Sequence, residues 1–172
     1  MSLLTSPLIC FLLLSVVAAA CHGESGSPIV KVYAYQREIV AGVPGPAQGK
    51  GTDSSKKQYS IYLVTSPATK FQVVGAWING TEYSVKSVVK PSPVRFDNPV
   101  VFEQEERNIA VPKTENQITE IILKTPMPDK ALDKAAAQLL KQNQAIVELT
   151  SGGKTIWVPI KAFKKRDPVF LR

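Results

Sequence analysis

From residue 29 onward the apolar positions recur mostly every second residue, the spacing of strands that bury one face. Residues 29 to 41 (IVKVYAYQREIVA) set Val30, Val32 and Ala34 against Lys31, Tyr33 and Tyr35, and their β-branched and aromatic content predicts a first strand. Residues 42 to 57 hold four Gly and two Pro without apolar periodicity, which predicts a long mobile loop. A second strand is expected over Tyr59 to Thr65. From Phe71 to Val89 two alternating runs flank Asn79-Gly80, a pair suited to a two-residue hairpin turn because both positions need positive φ.

Pro91, Pro93 and Pro99 then interrupt the pattern. Further strands are expected at Val100 to Glu105 and Gln117 to Lys124, with a polar loop over Glu106 to Asn116 between them. Residues 129 to 142 (DKALDKAAAQLLKQ) switch to helical spacing, with Leu132, Ala135, Ala136, Leu139 and Leu140 on one face and Asp129 near the N-terminus. Pro126 and Pro128 are expected to set the start of that helix. A last hairpin joins Ala145 to Thr150 and Lys154 to Ile160 through Ser151-Gly152-Gly153. The fold class this predicts is mainly β: an antiparallel sandwich, immunoglobulin-like or related, of about seven or eight strands with one α-helix near 129–142. Nothing repeats internally and no βαβ alternation is present, which disfavours a Rossmann or barrel enzyme scaffold.

The first 20 residues follow a different rule. All 21 Lys and Arg and all 14 Asp and Glu of the 172 residues lie after position 21. Leu3 to Ala20 is an apolar block ending in Ala18-Ala19-Ala20, directly before Cys21 and the polar run His22 to Ser27. An apolar core with a small-residue exit is the pattern of a secretory signal peptide, although no Lys or Arg precedes it. The predicted organisation is a signal peptide at 1–20, a flexible tether at 21–28 and one domain at 29–172. Cys10 would leave with the leader, so Cys21 would be the single thiol of the mature chain and has no disulfide partner.

Ala18-Ala19-Ala20-Cys21 resembles the lipobox of bacterial lipoproteins, a processing motif confined to the leader. The resemblance is good at Ala20 and Cys21, and Ala18 departs from the usual Leu. It implies lipidation at Cys21 and a stable membrane anchor, since each buried methylene contributes about 0.8 kcal/mol. His22, standing where Asp would signal inner-membrane retention, implies by the same resemblance an outer-membrane lipoprotein facing the periplasm. Cell-surface and soluble secreted forms are the alternatives.

Catalytic chemistry finds little support in the residue types. His22 is the sole histidine and lies in the tether, so a Ser-His or Cys-His device has no base in the domain. Zinc and copper would have only carboxylates, and no metal or other cofactor is expected. Glu103, Glu105 and Glu106 lack the spacing of a calcium loop. Ser-x-x-Lys occurs at Ser54/Lys57, Ser87/Lys90 and Ser151/Lys154 without the motifs that accompany it in penicillin-recognising enzymes.

Charge carries more information. The net charge is +7, and the last 19 residues hold Lys154, Lys161, Lys164, Lys165, Arg166 and Arg172 against Asp167, a net of +5. Lys161, Lys164, Lys165 and Arg166 are therefore candidate contacts for an envelope protein, an anionic lipid or another anionic envelope polymer. Export separates the chain from nucleic acid, which is not an expected partner. Trp77, Trp157 and the five tyrosines are expected mostly in the core, and together on the surface they would form a contact patch. The expectation is a lipid-anchored, non-enzymatic interaction or accessory module. Its alternatives are a lipoprotein capturing a polysaccharide, peptide or anionic lipid, and a carboxylate- or Ser-Lys-based hydrolase.

Overall fold

The computed structural model describes residues 28–41, 56–96, 108–128 and 132–171. Cys21, the leader, most of the tether, the expected strand at 100–105 with its glutamates, and residues 42–55 of the expected loop lie outside the described residues.

Strand β1 (Ile29–Ala41) runs antiparallel to β2 (Lys56–Thr65), with Tyr35 opposite Ser60 and Arg37 opposite Gln58. The expected loop therefore ends earlier than residue 57, because Lys56 and Lys57 pair with Ile39 and Glu38. An irregularity between Ile29 and Lys31 takes Val30 out of the alternation, and Val30 is exposed while Val32 and Ala34, expected on the same face, pack against the core. Strands β3 (Gln72–Ile78) and β4 (Thr81–Lys90) form the expected hairpin, with Asn79 at φ 49° and Gly80 at φ 88°.

The short strands β5 (Val94–Arg95) and β6 (Ile109–Val111) pair only with each other. Strand β6 falls within the expected polar loop, and its Ala110 and Val111 are fully buried. Three residues are too few to show a period, so its burial comes from the face it covers. Strand β7 (Gln117–Pro126) extends to Pro126, which closes the strand rather than starting a helix.

Helix α1 (Lys134–Gln142) begins later than expected. Its N-cap is Asp133, whose carboxylate accepts from the Ala136 N–H at 2.7 Å, while residues 129–131 lie outside the described residues. Ala136 is buried, but Ala135, expected on the same face, is exposed. Strands β8 (Ala145–Ser151) and β9 (Lys154–Ile160) form the last expected hairpin, turning at Gly152 and Gly153, both with positive φ. Two more strands follow, β10 (Lys164–Lys165) and β11 (Val169–Leu171), and both add in parallel to β1.

All strands except β5 and β6 belong to one hydrogen-bonded sheet, ordered β10-β1-β2-β7-β4-β3-β8-β9 with β11 also on β1. The fold is mainly β and antiparallel-rich, built as a single curled sheet. Its curl is visible in the core, where Ile61 and Leu63 of β2 share one buried cluster with Val147 and Leu149 of β8 and with Val158 and Ile160 of β9. Three residues, 161–163, carry the chain from β9 at one margin to β10 at the other, and Phe163 among them is buried in that core.

The convex face is covered in two places. Tyr62, Val64 and Ile118 pack under the β5–β6 hairpin with Val94, Phe96, Ala110 and Val111. Trp77 and Ile146 pack under α1 with Ala136, Leu132, Leu139 and Leu140. Burial on both faces explains why the second half of β2, IYLVT, is an unbroken apolar run up to Thr65 rather than an alternation.

Candidate functional site

The ladder between β2 and β7 runs from Thr65 opposite Gln117 to Ile61 opposite Ile121 and stops there. Beyond that point β2 continues with β1 through Ser60, Tyr59 and Gln58. Strand β7 continues with β4, where Ile122 faces Lys86 and Leu123 faces Val85. The two ribbons part, and a register shift between Tyr83 and Val85 marks the β4–β7 ribbon at the same level. Ser84 fills the shift, its Oγ donating to the Thr125 carbonyl and accepting from the Thr125 N–H, each at 3.2 Å. Such irregularities bend a strand and increase its twist, which is the local cause of the divergence.

The gap is a cleft of about 470 Å³. Tyr59, Tyr83 and Leu123 line it from the inner face, while Tyr35, Tyr62 and Phe96 line it from the outer. Tyr59 packs on Phe163 at 4.9 Å between ring centroids. Tyr35 stands edge-on to Phe96 at 5.0 Å and donates its hydroxyl proton to the Ala110 carbonyl at 2.6 Å. Burial raises the pKa of the Tyr35 phenol, with Tyr33 adding to the effect and Arg166 opposing it. Burial, and after it Tyr83, also raises that of Tyr59, against a weak hydrogen bond from Asn79. Both shifts favour the neutral phenol, which offers a hydrogen-bonding and stacking surface.

The charge on the walls is one-sided. Arg37, Lys57, Lys90, Lys124 and Arg166 line the cleft, against Glu120 as the acid among the described lining residues. Glu120 is already compensated by Lys90 at 2.9 Å, in a pair with side-chain exposures of 15% and 31%. The Arg37 Nε donates to Gln58 Oε1 at 2.6 Å across the β1–β2 ladder, which holds the guanidinium at the rim. A neighbouring hollow of about 260 Å³ shares Gln36, Arg37, Lys57 and Arg166 and adds Glu38, Lys165 and Pro168.

The four C-terminal cations singled out in the sequence are not gathered as one patch. Lys165 and Arg166 border the second hollow. Lys164 is exposed on β10 opposite Tyr35. Lys161 lies at the corner after β9, in a shallow hollow with Leu140 and Gln144 at the end of α1. Arg166 is engaged in the fold: its N–H donates to the Gln36 carbonyl at 2.8 Å and its guanidinium lies 3.4 Å from the Phe96 ring centroid. Trp77 and Trp157 pair under α1, 5.3 Å apart, away from the cleft.

No family model, curated protein sequence or solved structure matches this chain. Its chemistry is therefore read from the cleft alone. Ser87 and Lys90 lie three apart on a strand and so face opposite sides of the sheet, which separates hydroxyl from amine. Ser151 and Lys154 face each other across the β8–β9 turn, but the Ser151 hydroxyl is committed to the Lys70 carbonyl at 2.8 Å. Among the described residues no three His, Cys, Asp or Glu side chains are gathered for a metal. No helix among them is long and apolar enough to cross a membrane. The cleft is equipped to hold a ligand by stacking, apolar contact and positive charge.

Sequence reasoning could not find it. The tyrosines were visible, but the site depends on where the β2–β7 pairing stops, a long-range property with no local signal.

Proposed function

We propose that this chain is an exported, lipid-anchored binding module of a bacterial envelope, an accessory protein that engages its partner through the β2–β7 cleft and performs no catalysis. The observation that carries the binding reading is the meeting of four phenols and a phenyl ring with an excess of positive charge where two ribbons of one sheet part. The address rests on the apolar leader and the lipobox-like Ala18 to Cys21, which support attachment to the outer membrane on its periplasmic side. For the architecture we read the curled sheet as sandwich-like, its two halves facing each other across the shared cluster of β2, β8 and β9.

Two measurements test the reading. Mass spectrometry of the mature N-terminus should find acylated Cys21, and Cys21→Ser should lose both the acyl mass and membrane fractionation. A photo-crosslinking residue at Lys124 should capture an envelope component in cells, and one at Lys134, exposed on α1, should not. An unmodified N-terminus overturns the anchor. Equal capture at both positions, or none at Lys124, overturns the cleft as the binding face.

A further inference from the structure

We infer that the cleft is a strand-docking site that takes an extended protein segment of alternating acidic and apolar residues; this rests on the reading of the cleft as the binding face. The first support is the backbone. Among the described residues, Lys56 to Ser60 of β2 pair with β1 on one side and with no strand on the side toward β7. Residues Ile122 to Pro126 of β7 likewise pair with β4 and with no strand on the side toward β2. Two strand edges therefore border one cleft, and an extended backbone is the ligand that hydrogen-bonds to such edges along their length. Five residues of β2 offer about 17 Å of edge, the length of an average strand.

The second support is the alternation of the walls. A docked strand sends successive side chains to opposite faces of the sheet. Toward the inside it meets Tyr59, Tyr83 and Leu123, an aromatic and apolar surface continuous with the core. Toward the outside it meets Tyr35, Tyr62 and Phe96 at the deep end and the cations Arg37 and Lys124 toward the rim, with Glu120 neutralised by Lys90. The complementary sequence has apolar residues at every second position and Asp or Glu between them. A polyanion without a backbone to pair would use the charge and leave both edges unpaired, so the observations favour a polypeptide.

The test uses the full chain with intact Cys21 in detergent, titrated into three fluorescein-labelled ten-residue peptides and read by fluorescence anisotropy. One alternates Glu and Val, the second has the same composition with all Glu in one block, and the third repeats the alternating sequence with its backbone N-methylated at every second residue. The alternating peptide should bind at least tenfold more tightly than either control, because only it supplies both alternation and backbone donors. Arg37→Glu with Lys124→Glu, both at the rim and checked for fold by circular dichroism, should weaken it at least tenfold, whereas Lys134→Glu should not. Equal binding of the alternating and N-methylated peptides, or of alternating and blocked peptides, overturns strand docking. Absence of peptide binding while the Lys124 crosslinker captures an envelope component overturns strand docking and leaves the cleft as the binding face. Absence of both overturns the two together.

Discussion

Replacing Trp77 by alanine measures how much of the convex side is held by one side chain. Trp77 is 2% exposed and packs against Ala136 of α1, Ile146 of β8, three leucines around the helix, and Trp157. Its indole lies over Gly75, where an added Cβ would sit 3.3 Å from the ring. A tryptophan buries about 200 Å², and at roughly 25 cal/mol per Å² that sets an upper bound near 5 kcal/mol. Core Trp→Ala changes cost roughly 3–5 kcal/mol, so the expected loss is about 4 kcal/mol. With a urea dependence of about 2 kcal/mol per molar for a domain of this size, the midpoint should fall by about 2 M. Far-UV circular dichroism is the proper probe, because fluorescence would then report Trp157 alone. Trp157→Ala, at a half-buried position on β9, should cost less, and a double-mutant cycle should return a coupling of about 1 kcal/mol for the edge-to-face pair at 5.3 Å. A loss below about 1 kcal/mol for Trp77→Ala would refute the view that this indole fastens α1 to the sheet.

Tyr35→Phe removes the donor from the Ala110 carbonyl and should cost about 1–2 kcal/mol. Burial first, and Tyr33 second, raise the pKa of Tyr35 from its ordinary value of 10.0, so its contribution is full below pH 10 and drains away as pH rises through the folded value. The urea midpoint of the wild type should therefore fall more steeply above pH 10 than that of Tyr35→Phe, and parallel slopes would count against the assignment. Asp133→Ala removes the N-cap acceptor of α1 and should lower stability by about 1 kcal/mol in the same titration, with Asp133→Asn recovering most of it. Gly80→Ala should cost about 1 kcal/mol through backbone strain alone, since φ is +88° and nothing lies within 4 Å of the added methyl group.

What could be read from the sequence is what short-range chemistry decides. Asn79-Gly80 and Gly152-Gly153 announce their hairpins because positive φ is a local demand, and the flanking strands carry their own alternation. The helix was legible as a periodicity, but its start was set too early, at Asp129, because periodicity does not show which carboxylate reaches an orphan N–H, and in the structure that carboxylate is Asp133. Strand β6 was hidden for another reason: its Ala110 and Val111 are buried by Tyr62, Val64 and Ile118, residues with no place in its local pattern. Parallel addition of β10 and β11 to β1 joins segments more than a hundred residues apart and was equally invisible. The same limit divided the C-terminal cations. Lys161 and Lys165 are four residues apart in sequence, yet the corner at 161–163 sends one toward α1 and the other to the hollow beside the cleft.

The strand edges of this sheet differ in chemistry, and the difference bears on the docking proposed for the cleft. Strand β9 ends the sheet order and carries Lys154 at its start and Pro159 near its end; the proline has no N–H to offer a neighbour. At the opposite margin the outer side of β1 is covered by β10 and β11, and β10 consists of Lys164 and Lys165, both exposed. A stray strand therefore meets proline at one margin and clustered lysine at the other. Between β2 and β7 no proline lies in Lys56 to Ser60, and the β7 edge meets one only at its last residue, Pro126. The walls there present Tyr59 and Leu123, which reward burial. Lys57 and Lys124 beside them repel a basic strand and attract an acidic one, so at this edge charge selects a partner rather than excluding all of them. Lysine alone would guard this edge as it guards the outer margin; the tyrosine and leucine walls beside it are the physical ground for the docking proposed in the cleft.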